Sequence, residues 1–355
     1  MTLSVGTDYN ILIDPIGADH FAWLREREYA GWVVLVDEHT RAHCLPLLEQ
    51  ELTGLPVVVV EVPAGERFKH LDTCRFIWEE LFRSGVGRRW CCLNLGGGVI
   101  GDMGGFAAST YKRGMDFVQL PTTLLSQVDA SVGGKLGIDF YGVKNSIGLF
   151  ANPQAVWIDP RFLATLPERE LRSGYAEIIK HALIADRAQW QELRGWKALD
   201  AVDWESVIAE SVVIKRDIVL EDPYERGARK ALNFGHTIGH AVESYFLERE
   251  NRLLHGEGVA IGMITEAWLS CAAGKLAEAD LRDITDYCLD VYGHQLIPQD
   301  CFDDLLRLMR QDKKNETSAI NFTLLERPGA AVVNQTATEE AILRSLRYYN
   351  SLVSF

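Results

Sequence analysis

Apolar, β-branched runs without polar alternation recur through the first half of the chain. They lie at Trp32-Val-Val-Leu-Val36, Pro56-Val-Val-Val-Val-Glu-Val62, Trp90-Cys-Cys-Leu-Asn-Leu95, Phe117-Val-Gln-Leu120 and Ala155-Val-Trp-Ile158. Between several of them the pattern shifts to helical spacing, as over Thr40 to Leu52 and His70 to Ser84. Strands apolar on both sides and separated by helices predict a mostly parallel sheet covered on both faces. After Pro160 helical periodicity takes over, from Pro167 to Lys197, Trp204 to Leu220, Arg229 to Leu247, Gly256 to Ala273 and Asp280 to Val291, with a last helix over Thr338 to Tyr349. The apolar stretches Ile320 to Leu325 and Ala330 to Val333 flank Pro328-Gly329 and predict a small hairpin. The pattern predicts an α/β domain over residues 1–160 and a helical domain over 161–355, with the active site expected in the cleft between them.

Chemistry concentrates at a few places on this frame. Ala231-Leu-Asn-Phe-Gly-His-Thr-Ile-Gly-His-Ala-Val-Glu243 reads as a helix start that puts His236 and His240 on one face. His255, in Leu254-His-Gly-Glu-Gly258, opens another helix, and Ser173-Gly-Tyr-Ala-Glu-Ile-Ile-Lys-His181 puts Glu177 and Lys180 on one face of a third. Two histidines and a carboxylate on separate helices, with one position left for water or substrate, suit a catalytic zinc ion. The alternative is a set of hydrogen-bonded core histidines, which the glycine-rich flanks make less apt because glycine lets backbones and ligands approach closely. Leu95-Gly-Gly-Gly-Val-Ile-Gly-Asp102 follows a strand and precedes a helix. It lacks the GxGxxG spacing, and reads either as a pyrophosphate turn or as a tight structural turn. Asp37 ends a strand, where a ribose hydroxyl or a helix N-terminus would use it. Gln119-Leu-Pro-Thr-Thr-Leu-Leu-Ser-Gln-Val-Asp129, Ser131-Val-Gly-Gly-Lys135 and Gly142-Val-Lys-Asn145 gather small polar residues, an Asp and two Lys, which suits a phosphate and polyol site. Lys180, Lys215, Arg229 and Lys313-Lys314 are candidate anion ligands, although single Lys and Arg residues are usually solvated. Arg229 stands out, four residues before Asn233.

A length of 355 residues leaves room for two domains, and 47% hydrophobic with 24% charged residues is the balance of a soluble globular protein. The formal charge of -14 argues against a nucleic-acid partner while permitting a local cationic pocket. The seven cysteines contain no CxxC pair and read as reduced thiols of a cytoplasmic protein. Met1-Thr-Leu-Ser-Val-Gly6 shows no signal-peptide pattern, and no apolar run approaches the roughly 20 residues of a membrane span.

Taken in order, GGGVIGDMGGFAASTYKRG, QLPTTLLSQVDASVGGKLGID, GVKNSIGLF, LPERELRSGYAEIIKHALI, ALNFGHTIGHAVE, LLHGEGVAIGM and QDKKN resemble the 3-dehydroquinate synthase family, within the sugar phosphate cyclases. The resemblance covers about residues 96 to 315. It implies a Rossmann-like NAD-binding domain, a C-terminal all-helical metal-binding domain and a homodimer. It also implies cyclisation of 3-deoxy-D-arabino-heptulosonate 7-phosphate, a phosphorylated sugar acid, to 3-dehydroquinate, with phosphate released, as a step of the shikimate pathway. Position by position, the implied metal ligands are Glu177, His236 and His255, holding Zn2+ or Co2+. NAD would lie along Asp37, Glu66, Lys69, Gly97, Gly98, Asp102, Thr122, Thr123, Leu125, Lys144, Phe162, Thr165, Leu166 and Glu170. Substrate would meet Asp129, Lys135, Asn145, Lys180, Lys215, Arg229, Asn233, His240 and Lys313 (or its neighbour Lys314), with Arg113 supplied by the other subunit. Related cyclases that take sedoheptulose 7-phosphate or glucose 6-phosphate need no carboxylate clamp, so Lys215 and Arg229 favour the acid. An amino-substituted form of the acid would fit the clamp as well. A metal-dependent polyol dehydrogenase would share the glycine turn and the histidines but not the cationic set. The chain departs from the family at Asp139-Phe140, where many members carry Asn-His, and at His181, where Tyr is commoner.

Overall fold

The computed structural model describes residues 1–141, 143–196, 199, 202–247, 249, 251–311 and 320–352. Two compact units are present: Met1–Pro167 with Asp203–Arg216, and Glu168–Val202 with Asp217–Phe355.

The first unit runs β1 (Thr2–Val5), β2 (Tyr9–Ile13), α1 (Ala18–Glu26), β3 (Gly31–Asp37), α2 (Glu38–His43), β4 (Val57–Val62), α3 (Leu71–Arg83), β5 (Trp90–Gly96), α4 (Gly98–Thr110), β6 (Asp116–Pro121), β7 (Lys135–Phe140), β8 (Val143–Phe150) and β9 (Ala155–Ile158). Seven strands form one sheet in the order β1-β2-β9-β6-β5-β3-β4, parallel throughout except for the β1–β2 hairpin. All five runs that predict strands lie in it. In the inner strands the lack of alternation has a direct cause, whereas edge strand β4 leaves Val59 exposed. Val33, Leu35 and Cys92 face one core with Ile77, Leu81, Met103 and Phe106 of α3 and α4, while Trp32, Val34, Val36, Leu93 and Leu95 face another with Phe21 and Leu24 of α1. The chain steps outward from β3 to β4 and returns to β5 on the other side, so the strand order reverses between β3 and β5. Crevices at such reversals are where open α/β sheets bind ligands. The β7–β8 hairpin stands apart as its own two-stranded ladder.

In the second unit the chain forms α5 (Glu168–Ala185) and α6 (Arg187–Leu193). Helix α7 (Trp204–Glu221) spans the boundary between the units, and α8 (His236–Phe246), α9 (His255–Ala272), α10 (Glu278–Tyr292), α11 (Phe302–Gln311), β10 (Asn321–Arg327), β11 (Ala330–Thr336) and α12 (Glu339–Ser351) follow. Helix α9 is its axis, with α5, α8, α10, α12 and β10 packed around it. The unit is thus not all helical, since β10 and β11 pair antiparallel across the expected Pro328-Gly329 turn. The single helix expected from Pro167 to Lys197 is divided at Asp186, whose carboxylate accepts from the amides of Ala188 and Gln189 and starts α6. All seven cysteines are unpaired, six of them buried and Cys271 half-buried. Among the described residues no helix is long and apolar enough to cross a membrane.

Candidate active site

The helix expected to begin near Arg229 begins at His236. Ala228–Asn233 forms a separate 3-10 turn, and Gly235 breaks the path with φ of +77°. Glu266, fully buried on α9, accepts from the amides of Gly235 (2.7 Å) and Ile238 (3.0 Å) and so fixes the first turn of α8. Backbone meets backbone along this seam: a Cβ on Gly262 would lie 1.8 Å from the Gly235 carbonyl oxygen.

That packing sets His236 and His255 beside Glu177 of α5. His236 Nε2 lies 3.4 Å and His255 Nε2 3.1 Å from the same oxygen, Glu177 Oε1. The far side of each ring is held, His236 Nδ1 at 3.1 Å from the Phe234 carbonyl and His255 Nδ1 at 3.3 Å from Glu243 Oε2. Donors sharing one ion at about 2.1 Å in tetrahedral array lie about 3.4 Å apart. Both gaps to Glu177 Oε1 therefore match ligands of one divalent ion, and His236, His240 and His255 also lie close enough together to share one, with the rings of His236 and His255 oriented by outer partners as metal-bound imidazoles generally are. His240 comes to the same place, its ring 4.9 Å from that of His236 and 5.6 Å from that of His255. Burial works to raise the Glu177 carboxyl, but Lys180, which pairs with it one turn along α5, and His236 and His255 outweigh burial and hold it well below the usual range. Burial opposes charge on His255, yet Glu177 and Glu243 raise it to about 10. The two carboxylates that favour a proton there also favour a cation.

The remaining second-unit candidates sit in polar cages. Arg229, 1% exposed, donates to the Pro223 carbonyl at 2.6 Å, and its backbone N–H donates to Asp222. Asn233 donates to Glu225 at 2.8 Å. Glu170 lies in the first turn of α5, its carboxyl raised by burial against the pull of Arg169 and Arg252.

In the first unit the expected NAD residues gather at the C-terminal edge of the sheet, where β3, β5 and β6 end at Asp37, Gly96 and Pro121. Asp37 caps α2, with Oδ1 accepting from Thr40 N at 2.8 Å, so the N-cap reading of this residue holds. Gly97 caps α4 and Gly98 is its first residue. Thr122 donates its amide to the Gly96 carbonyl, Thr123 bonds Ser126, and Leu125 enters the next short turn. Lys69 Nζ, buried, bonds Asp102 Oδ2 at 2.6 Å, and Lys144 Nζ lies 3.8 Å from Glu66. Burial disfavours the Lys69 charge, but Asp102 and Glu66 outweigh it and keep the ammonium. Phe162 and Thr165 belong to a 3-10 turn after β9, which Leu166 closes. Asp129 and Lys215 pair with each other. Lys135 opens β7 and Asn145 lies in β8. Arg113 is not brought to this group. It follows the C-terminus of α4 at the opposite edge of the sheet, about 20 Å along the helix from Gly98. Lys313 lies outside the described residues.

Residues 59–173 match the profile of the 3-dehydroquinate synthase N-terminal domain and residues 174–315 that of the C-terminal domain. Over 332 residues the chain is 41% identical to 3-dehydroquinate synthase of Parabacteroides distasonis, covering 92% of this chain and 93% of that one. The chain belongs to the 3-dehydroquinate synthase family. The synthase of Azotobacter vinelandii is 43% identical over 319 residues, covering 88% and 86% of the two chains. Among solved structures, 2-epi-5-epi-valiolone synthase from Streptomyces hygroscopicus, with NAD+ and Zn2+ bound, superposes with a TM-score of 0.85 at 28% identity over 97% of both chains. A 2-deoxy-scyllo-inosose synthase complexed with carbaglucose-6-phosphate, NAD+ and Co2+ gives 0.82 at 22% identity over 98% and 99%, a likeness of fold.

Within this 3-dehydroquinate synthase family member, two carboxylates hold elements of the candidate site, Glu243 the His255 ring and Glu266 the start of α8. Glu243 carries a local signal, since it follows His236 by seven residues and His240 by three and so shares their face. Glu266 carries none, because the amides it holds are 28 and 31 residues away.

Proposed function

We propose that the chain converts 3-deoxy-D-arabino-heptulosonate 7-phosphate to 3-dehydroquinate with release of phosphate, acting as a phosphorus–oxygen lyase. The observation that carries this reading is the convergence of Glu177, His236 and His255 in a chain 41% identical, over nearly its whole length, to a synthase of that name. When bound, NAD takes up and returns a hydride at the substrate's C5 and a divalent ion, Zn2+ or Co2+, serves as a Lewis acid at the oxygen there. Glu177, His236 and His255 would hold the ion, and the residues at the sheet edge, with Phe162, Thr165, Leu166 and Glu170, the dinucleotide. His240 moves a proton at the C5 oxygen, a task suited to imidazole near neutral pH. Lys135, Asn145, Lys180 and Arg113 of a second copy hold the phosphate and stabilise its departure. The departing phosphate accepts the neighbouring C–H proton, so these residues position rather than abstract. Lys215, Arg229 and Asn233 hold the carboxylate and fix the face of ring closure, with Asp129 orienting Lys215. Lys313 is a further substrate candidate. The reading includes a homodimer and a cytoplasmic location, to which the unpaired thiols are suited.

The test is phosphate release from this substrate with NAD and Zn2+, with and without a chelator, while NADH absorbance is followed. Phosphate without NADH accumulation, lost on chelation, is the expected result. Release from sedoheptulose 7-phosphate but not from the acid would overturn the carboxylate clamp. Steady NADH without phosphate would move the chain to dehydrogenase chemistry.

A further inference from the structure

The β7–β8 hairpin is irregular at one point. Ile138 pairs with Ile147 and Phe140 with Val143, so Asp139 alone stands opposite Lys144, Asn145 and Ser146. Such bulges re-aim side chains beside functional sites. Asn145 takes up the extra length in the left-handed region, with φ of +48°. Asp139 Oδ1 accepts the Asn145 N–H at 2.7 Å. The backbone N–H of Asp139 donates to the Lys69 carbonyl at 2.8 Å, and His70 bridges to Asp139 in parallel register. One residue therefore ties the bulge to the segment carrying Lys69. The Asn145 side chain is directed back over the hairpin, its Oδ1 3.7 Å from the place a Cβ on Gly137 would occupy.

We propose that Asp139 is a positioning residue: its carboxylate closes the bulge and sets Asn145 in the orientation that receives the substrate phosphate, while its backbone fixes the hairpin to the Lys69 segment. The proposal rests on the assignment of Asn145 to phosphate and of Lys69 and Lys144 to NAD made above. It gives a role to a position where the chain departs from the commoner Asn of the family. An Asn there supplies the same acceptor oxygen without the charge, so acceptor and charge can be separated by substitution.

Full-length wild type, Asp139→Ala and Asp139→Asn are compared by three readouts. Amide hydrogen exchange at Asn145 reads the bond itself, KM and kcat for the phosphorylated substrate read the placement of Asn145, and calorimetric NAD affinity reads the sheet edge. In Asp139→Ala, exchange at Asn145 is expected to speed up and KM to rise by about ten-fold each, as for loss of one charge-assisted hydrogen bond. NAD affinity is expected to change by less than about three-fold in that variant. Asp139→Asn restores both exchange protection and KM. Unchanged protection and KM in Asp139→Ala overturn the proposal. So do equal losses in both variants with protection retained, which would mark a charge effect. If wild type releases no phosphate from the substrate, the functional reading fails, and the exchange comparison still decides whether Asp139 holds Asn145.

Discussion

With Nδ1 held against Glu243, His255 can present only Nε2 toward Glu177. Replacing Glu243 by Ala frees the ring, and Zn2+ affinity is expected to fall about 10–100-fold. Competition with a chromogenic chelator measures this without any turnover, and an unchanged affinity would mean that packing alone orients the imidazole. The proposed metal donors are partly legible: His236 and His240 at helical spacing and Glu177 on another helix mark a candidate site, with core histidines as the alternative, and only the family resemblance singles out His255 beside His236. What surrounds them is less legible. Buried Lys69, Lys180 and Lys215 each face a carboxylate supplied by the fold, and only the Lys180–Glu177 pair has local spacing. The other two partners lie 33 and 86 residues away.

At the scale of elements, the seam between α8 and α9 sets the donor geometry. Gly262→Ala would drive a methyl group into the Gly235 carbonyl, and overpacking of this kind costs about 1–3 kcal/mol. A lowered denaturant midpoint together with weakened Zn2+ binding is expected; a midpoint within error of wild type would show that the helices can part at no cost. A second link joins α5 to α9, where Arg169 donates twice to Glu257 at 2.7 Å. Burial raises the Glu257 carboxyl, but Arg169 and the Leu254 N–H outweigh it and hold it low. A depressed carboxyl gives stability that is full above its unfolded value, near pH 4.3, and is lost as pH falls through the folded value. Glu257→Gln should therefore lower stability at pH 7 by about 0.5–1 kcal/mol, given the exposure of Arg169, and the gap to wild type should close below about pH 4. Thermal midpoints of both proteins between pH 3 and 7 check this, and a gap independent of pH would contradict it. Four of the five strands were readable because burial on both sides leaves no polar alternation; β4, at the sheet edge with Val59 exposed, was readable by its run of valines. The break before α8 was not, because the apolar spacing of Leu232 and Phe234 runs on through Gly235 and the restraint comes from Glu266 on another helix. Phe302–Gln311 is a helix outside the expected elements, although Phe302, Leu305, Leu306 and Met309 are spaced to bury one face.

On the scale of the whole molecule, a net charge of -14 coexists with four deeply buried cations, Lys69, Lys180, Lys215 and Arg229. Composition averages over that contrast, so it argues against a nucleic-acid partner without revealing where the candidate anion ligands lie. The position of Arg113 at the far edge of its own sheet gives a test of the dimer. If a second copy supplies it, Arg113→Ala and Lys180→Ala chains should each be inactive. Mixed and reassembled in equal amounts, they should recover roughly a quarter of the wild-type rate, since half the dimers carry one intact site of two. No recovery from two inactive chains would place Arg113 in its own chain's site, and an active Arg113→Ala chain would place it outside the chemistry. Finally, the thiols divide sharply. Burial pushes Cys44, Cys74, Cys92 and Cys288 up to about 12 and holds Cys91 well above the usual thiol range. Cys271 alone is half-buried, its thiol raised by burial and by Glu278, and it is the cysteine most open to a thiol-directed dye. It sits at the far end of α9, about 24 Å along the helix from His255. The unaltered chain thus carries a single natural attachment point for a fluorophore, through which loading of the ion could be watched as a change in emission.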